Sequence, residues 1–518
     1  MKTMKLLSFV SAVLLVTSGF FGCTEDFEEI NTDQRSLTEL DAAMLGNLFA
    51  RIQYRGYFIN YHQTPQTLFA DYYTQYTTNL QNAFPSDRYI QVGGWIDGCW
   101  RAFYGDIAGN LGVLLEQTDP AEYPDRATMW AIAKIWSVAA FERISSYWGP
   151  IPYSQTNNGE PSVPYDKQED IYRGFFPTLD EALGILNANT GGNAYGDNDQ
   201  IYGGDIDKWI IFGNTLRLRL AMRVSDVDAG LAQTQAEKAV ADGVMEDKEH
   251  NALFQCTANS YHNMPRMLPW AEFRMSATME SILQGYQDPR MPLMYQPAVT
   301  DGEYRGARNG YSIESLGTIP ELLPDNLSDY GPRYVPVSQQ DVLPYEIMWS
   351  PEAWFLRAEG ALKGWNMGVS AEDAYNNGIE ASFEYWTDWG LDMGTLQPYQ
   401  QSLNTPVATW DAPTPISDVP VRFDAGNPDV ALEQIHIQKW LGLWPDGWEA
   451  WADQRRAELP KRYDVMVSEN PNVPVNKMPR RIVFVESEYE QNDEAVEAAI
   501  GLLGGDDKAS TRLWWDPQ

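Results

Sequence analysis

The sequence predicts an all-α, mainly helical protein in which helices packed in pairs carry long aromatic loops. Three segments predict it. Residues 126–148 place Met129, Ile132, Ala133, Trp136, Ala140 and Ile144 at helical spacing, and Ile135, Val138, Ala139 and Phe141 fill further faces, so this helix is packed on more than one side. Residues 205–224 begin at Asp205, a candidate N-cap, turn Trp209, Phe212, Leu216 and Leu220 inward, and carry Arg217, Arg219 and Arg223 toward the negative end of the helix dipole. Residues 370–386 open on Ser370-Ala371-Glu372-Asp373, which resembles a capping box. There Ala374, Gly378 and Ser382 form a stripe of small side chains that lets a second helix approach closely.

Taken along the chain, further helices are expected near 36–56, 96–116, 168–188, 230–244, 347–364, 429–442 and 447–458. Gly149-Pro150-Ile151-Pro152 ends the helix over 126–148. Between the helices lie irregular stretches at 79–95, 150–167, 190–204, 287–345 and 390–428, rich in Pro, Gly, Asn, Asp and Tyr. Ordered loops of this length in a compact domain are often functional. Helical hairpins arranged in this way resemble tetratricopeptide-like repeats, although no repeat consensus can be read from the periodicity alone.

The amino terminus carries an export signal. Lys2 and Lys5 precede the apolar run Leu6–Val16, and small residues Ser18, Gly19 and Gly22 lead to Cys23. Residues 1–22 are read as a lipoprotein signal peptide and residues 23–34 as an acidic tether. Cys23 is expected to be lipidated, hanging the protein from a membrane by acyl chains. The apolar run is interrupted by Ser8, Ser11, Thr17 and Ser18 and is thin for a membrane span.

The 518-residue chain has a formal charge of −35. Removing residues 1–22 takes away two lysines and no acid, which leaves −37. Such a balance argues against nucleic acid and against electrostatic docking on an anionic leaflet. Two cysteines remain besides Cys23; their spacing leaves open a Cys99–Cys256 disulfide or two separate buried thiols. There is no P-loop, GxGxxG, GxSxG, HExxH or CxxC motif. The four histidines, His62, His250, His262 and His436, stand far apart and are read as structural or surface residues. Asp197-Asn198-Asp199, with Asp205 and Asp207, offers oxygens for a structural calcium ion but lacks the EF-hand pattern, so a helix-capping loop is the better reading. No cofactor is expected.

The aromatic residues carry the functional signal. The chain has 19 Trp and 28 Tyr, many of them in loops. Tyr72, Tyr73, Tyr76, Tyr89 and Trp95 accompany Asn79, Gln81, Asn82, Asp87 and Arg88; a second cluster holds Tyr304, Arg305, Arg308, Asn309 and Tyr311. A flat ring covers the C–H face of a pyranose while amides, carboxylates and guanidinium groups bond its hydroxyls. The plainer reading is that such rings pin long loops onto the scaffold.

The segments Trp100-Arg101-Ala102-Phe103-Tyr104, Tyr147-Trp148-Gly149-Pro150-Ile151-Pro152-Tyr153-Ser154, Gly204-Asp205-Ile206-Asp207-Lys208-Trp209, Phe355-Leu356-Arg357-Ala358-Glu359-Gly360 and Gln454-Arg455-Arg456, in that order behind Cys23, resemble the SusD/RagB group of outer-membrane nutrient-binding lipoproteins. The resemblance covers nearly the whole mature chain, so residues 35–518 form one nutrient-binding domain in this reading. It implies four tetratricopeptide-like helix pairs, binding without catalysis, and a lid role on a SusC-like TonB-dependent transporter that receives the oligosaccharide. It also implies that Asp205, Trp209 and Arg219 lock a helix pair and that Gln454, Arg455 and Arg456 pair with buried acids. The loop leading into Trp100 would form the ligand face, with Trp95, Tyr89, Arg88 and Asn82 as contacts and Tyr304, Arg305 and Tyr311 as a second group. The acidic residues after Cys23 resemble the family's surface-export tag and imply a protein facing the cell exterior. Two alternatives stand beside this reading: a peptide-binding receptor of the same family, and a surface glycosidase with two juxtaposed carboxylates.

Overall fold

The computed structural model describes residues 40–160, 162–335 and 342–516. The signal, the tether and Cys23 lie outside the described residues. The chain divides into residues 1–45 and a compact unit, Gly46–Gln518. Its longer helices are α1 (Ala42–Gly56), α2 (Gly93–Phe103), α3 (Gly109–Glu116), α4 (Ala127–Trp148), α5 (Gln168–Asn187), α6 (Ile206–Arg223), α7 (Ala229–Asp242), α8 (Ala277–Tyr286), α9 (Ser350–Leu362), α10 (Ala371–Trp386), α11 (Pro428–Leu443), α12 (Gly447–Ala457) and α13 (Asp493–Leu502). Packing is most extensive within the hairpins α4–α5, α6–α7 and α9–α10, and α11 lies against both α9 and α12. Among the described residues there are four short strands: β1 (Thr77–Asn79) pairs antiparallel with β3 (Phe273–Met275), and β2 (Ala252–Phe254) with β4 (Tyr345–Met348).

Most of the expected helices form where their periodicity placed them, the one near 36–56 from Ala42 onward among the described residues, and local chemistry fixes their ends. Asp205 caps α6, its Oδ1 accepting the Asp207 and Lys208 N–H groups at 3.0 and 3.2 Å. Ser370 caps α10 through the Asp373 N–H at 3.1 Å. Helix α4 is buried from Trp130 to Trp148 except at Lys134, and stops at Gly149, whose φ of 89° favours glycine. The helix expected over 96–116 is instead α2 and α3 joined by a π-helical turn, Tyr104–Ala108. A second π-helix, Gln63–Asp71, had no signal in the sequence: eight of its residues are buried, so no apolar stripe marks it.

The small-residue stripe of α10 works as a socket. A Cβ on Gly378 would lie 2.7 Å from the Phe355 ring of α9, and one on Gly442 of α11 would lie 3.2 Å from the same ring. Alanine at 378 gains helix propensity worth about 1 kcal/mol, but overpacking typically costs about 1–3 kcal/mol. Gly378→Ala is therefore expected to lower stability in urea unfolding; a stabilised variant would show that Phe355 has room to move.

The interior holds ion pairs as well as rings. Arg219 of α6 donates through Nε and an Nη to Glu352 of α9, both at 2.6 Å. Arg223 pairs with Glu449 of α12 and reaches Glu142 of α4 at 3.4 Å. Arg456 pairs with Glu359 at 2.6 Å and Asp453 at 2.9 Å, and Lys439 with Asp453 at 2.8 Å. Arg455 differs from expectation. It donates to the backbone carbonyls of Trp451, Ser146 and Arg480 and stacks on Trp451 at 3.7 Å. Gln454 likewise donates to the Pro460 carbonyl. Both side chains satisfy backbone oxygens, and among the described residues neither hydrogen-bonds or ion-pairs with a carboxylate, although the Asp516 charge acts on Arg455. Cys99 and Cys256 are separate buried thiols.

Candidate functional site

Asp87 organises the candidate face. It lies in the short 3-10 helix Pro85–Arg88 that follows β1, and it is buried. Its Oδ2 accepts the Gly310 N–H at 2.9 Å, the Asn79 N–H at 3.2 Å and the Thr78 hydroxyl at 3.4 Å, while Oδ1 accepts the Asn309 amide at 2.6 Å. Burial pushes its carboxyl up to about 6, against the downward pull of the Gly310, Asn309 and Asn79 hydrogen bonds. One side chain thus ties the 79–95 loop to the 304–311 loop, and the two clusters picked out in the sequence meet.

A third loop completes the face. Asp411 accepts the Arg308 N–H at 2.7 Å and the Tyr311 hydroxyl at 2.9 Å, and the Trp410 indole donates to the Gly306 carbonyl at 2.6 Å. The Trp410 ring lies parallel to Tyr311, within 2°, with centroids 6.5 Å apart. Glycine is required at 306, because a Cβ there would stand 2.2 Å from the Ser276 carbonyl oxygen.

The expected contact residues separate into two groups. Trp95, Tyr304 and Arg305 are half-buried and Asn82 is exposed, so these reach solvent. The Trp95 ring meets Phe84 edge-on at 5.6 Å and Phe69 at 6.3 Å, which holds it in place from behind. Arg305 is already engaged with Asp301 at 2.7 Å and the Asn326 carbonyl at 3.1 Å. Arg88 and Tyr89 are corrected by the structure: each is only 1% exposed. The Arg88 guanidinium donates to Glu469 at 2.8 Å, and the Tyr89 ring packs edge-on against Tyr73 at 5.8 Å. Both pin the loop around Glu469 and Asn470 and present nothing to a ligand. Tyr311, at 5% exposed, supports Trp410 from within. Tyr72, Tyr73 and Tyr76 are also interior, so the plainer reading holds for them. Trp410, 38% exposed, was missed in the sequence because the partners that position it lie about a hundred residues away.

No described group at the face is arranged for a metal. In the loop over 197–199, Asp199 accepts from Gln53 at 2.7 Å, Ile201 N–H at 3.1 Å, Gly204 N–H at 2.9 Å and the Trp209 indole at 2.7 Å, and Asp205 caps α6, so these two carboxylates serve the loop and the helix start. Among the described residues, Glu359, His436 and Asp453 cluster closely enough to hold an ion. Arg456 and Lys439 already neutralise those carboxylates, so the donor set does not fit a metal. His62 and His262 are buried; burial, then neighbouring charge, pulls both below the usual imidazole range.

A family model described as "SusD-like: Susd and RagB outer membrane lipoprotein" matches residues 26–516. Among solved structures, a chitin-binding SusD homologue from Flavobacterium johnsoniae is 30% identical, with 92% of this chain and 99% of that chain covered and a TM-score of 0.83. A SusD homologue from Bacteroides vulgatus is 30% identical over 91% of this chain and 97% of that chain, with a TM-score of 0.82. A SusD-like protein from Bacteroides thetaiotaomicron is 30% identical over 92% and 99%, with a TM-score of 0.81. No curated protein matches the chain.

Proposed function

Because the chain belongs to the SusD/RagB family of outer-membrane lipoproteins, we propose that it is a cell-surface receptor that binds an oligosaccharide without turning it over and delivers it to a SusC-like TonB-dependent transporter. The observation that carries this reading is the loop face knitted by Asp87 and Asp411, on which Trp95, Tyr304 and Trp410 reach solvent, as Asn82 does. Sugar rings would stack on the indoles, and amides would orient the hydroxyls. Both knitting carboxylates spend their oxygens on neighbouring N–H and O–H groups, which leaves them poorly placed as a catalytic pair. The chitin-binding relative favours N-acetylated sugars as the first ligands to try.

Acylation of Cys23 would hold the receptor at the outer membrane, facing the exterior. None of the helices among the described residues is long and apolar enough to cross a membrane. A glycan held at the mouth of the barrel is already at high effective concentration for transport.

The test is a binding screen of residues 24–518 over plant, host and microbial glycans, with oligopeptides on the same array and product release assayed in parallel. One glycan class bound without turnover is expected, and Trp95→Ala with Trp410→Ala should weaken it by about tenfold or more, equivalent to about 1.4 kcal/mol. Binding of peptides alone would move the ligand class. Turnover would replace the receptor with a surface glycosidase.

A further inference from the structure

The geometry points to a second saccharide site on the other side of α2, in a cavity between α3, α4 and the 153–157 loop. Its volume is about 600 Å³, within the range of small-ligand sites. Lys134, Ser137, Ser154, Thr156 and Asn157 line it, with apolar walls from Leu111 and Phe141. Lys134 is half-buried and forms no ion pair among the described residues, although the chain carries 72 acids; its ammonium stands 4.9 Å from the Trp130 ring centroid. Ser137 is 7% exposed, and its hydroxyl makes no hydrogen bond to another described side chain or backbone group. Two donors therefore face the cavity without a hydrogen-bond or ion-pair partner among the described residues.

The cavity is built into the chain. Asn157, at φ 66°, donates to the Ala108 carbonyl at 3.0 Å and lies against α3, where a Cβ on Gly112 would come within 2.2 Å of its amide. Glycine in α3 and the π-turn before it allow this close approach. Beyond Asn157 a second cavity of about 250 Å³ adjoins the first at Ala108, Thr156 and Asn157 and is walled by Trp100, Tyr104, Gln491 and Asn492. The Trp100 and Tyr104 rings, 4.6 Å apart, give it an aromatic side. A short oligosaccharide fits this succession, with its oxygens toward Lys134 and Ser137 and a ring toward Tyr104. Trp95 and Trp100 are five residues apart on α2, a rotation of about 140° at 3.6 residues per turn, so this site and the loop face lie on different sides of that helix. The ligand class rests on the proposed glycan reading; the location does not.

The experiment is the same glycan array read with the parent protein, Trp95→Ala/Trp410→Ala, Val113→Trp and Lys134→Met. Val113 is 45% exposed on α3, so tryptophan there fills the cavity without disturbing the core. Lys134→Met keeps the stem on Trp130 and removes the charge. The expected result is a set of glycans still bound by Trp95→Ala/Trp410→Ala and weakened at least tenfold by Val113→Trp and by Lys134→Met. Parent-like profiles for Val113→Trp and Lys134→Met, with all binding lost in Trp95→Ala/Trp410→Ala, would overturn the second site and keep the first. A parent that binds no glycan would overturn both.

Discussion

Arg219→Met is expected to destabilise the protein by about 3–5 kcal/mol, as breaking one side of a buried ion pair does elsewhere. Methionine removes the positive charge and leaves Glu352 buried without its bidentate partner and Glu449 without a neighbour at 3.8 Å. Burial pulls the Arg219 guanidinium down, but Glu352 and Glu449 more than offset it and hold the group well above its usual range. Urea unfolding followed by tryptophan fluorescence measures the loss. Arg219→Met/Glu352→Met should recover part of it, because no carboxylate is then stranded at 352. A single variant as stable as the parent would show that α6 and α9 are held by apolar packing alone.

The same network makes stability depend on acid. Burial alone would raise the Glu359 carboxyl, yet Arg456 and His436 hold it down at about 2. A carboxyl lower in the folded state than its unfolded value of about 4.3 contributes stability above that pH. The contribution is lost as pH falls through about 2. The parent should therefore lose this contribution on acidification below about pH 4, and the same acid slope in Glu359→Gln would contradict the pairing.

Arg219 and Arg223 stand out in the sequence as cations toward the negative end of a helix dipole and Arg456 through the family resemblance, but their partners do not. Glu352 stands 133 positions from Arg219 and Glu449 stands 226 from Arg223, and no local rule joins them. Helices were legible where apolar residues recur at helical spacing over a long run, as in α4, α6 and α10. The Gln63–Asp71 π-helix, buried on every side, has no period to read. Which side chains of the candidate face reach solvent was half legible. A loop rich in Tyr, Arg and Asn has the same composition whether its side chains point outward or inward. Trp95 and Asn82 therefore looked no different from Arg88 and Tyr89, and only the tertiary contacts of Arg88 with Glu469 and of Tyr89 with Tyr73 separate them.

Asp87→Asn should cost the loop face more than the loss of any one ring. The carboxylate accepts four hydrogen bonds and offers none. An amide in its place turns one acceptor into a donor. Facing Asn309 it opposes that side-chain N–H; facing the other way it opposes the Gly310 and Asn79 N–H groups. Leaving such buried groups unpaired costs about 1–3 kcal/mol each, and here the cost falls on the link between the 79–95 and 304–311 loops. Amide exchange in both loops should rise while α4 and α6 stay protected, and glycan affinity should fall further than in Trp95→Ala. Unchanged exchange at 79–95 would mean that packing, not Asp87, holds the loops together. The pH profile separates these causes. Burial raises the Asp87 carboxyl to about 6, above its unfolded value of about 3.9. Burial favours the neutral acid and the surrounding N–H donors favour the carboxylate; on balance the folded loops hold the proton more tightly than the unfolded chain, and the stability this lends is greatest below about pH 3.9 and lost as pH rises through about 6. Loop opening in the parent should ease across that window and level off beyond it, and the asparagine variant should lose the slope.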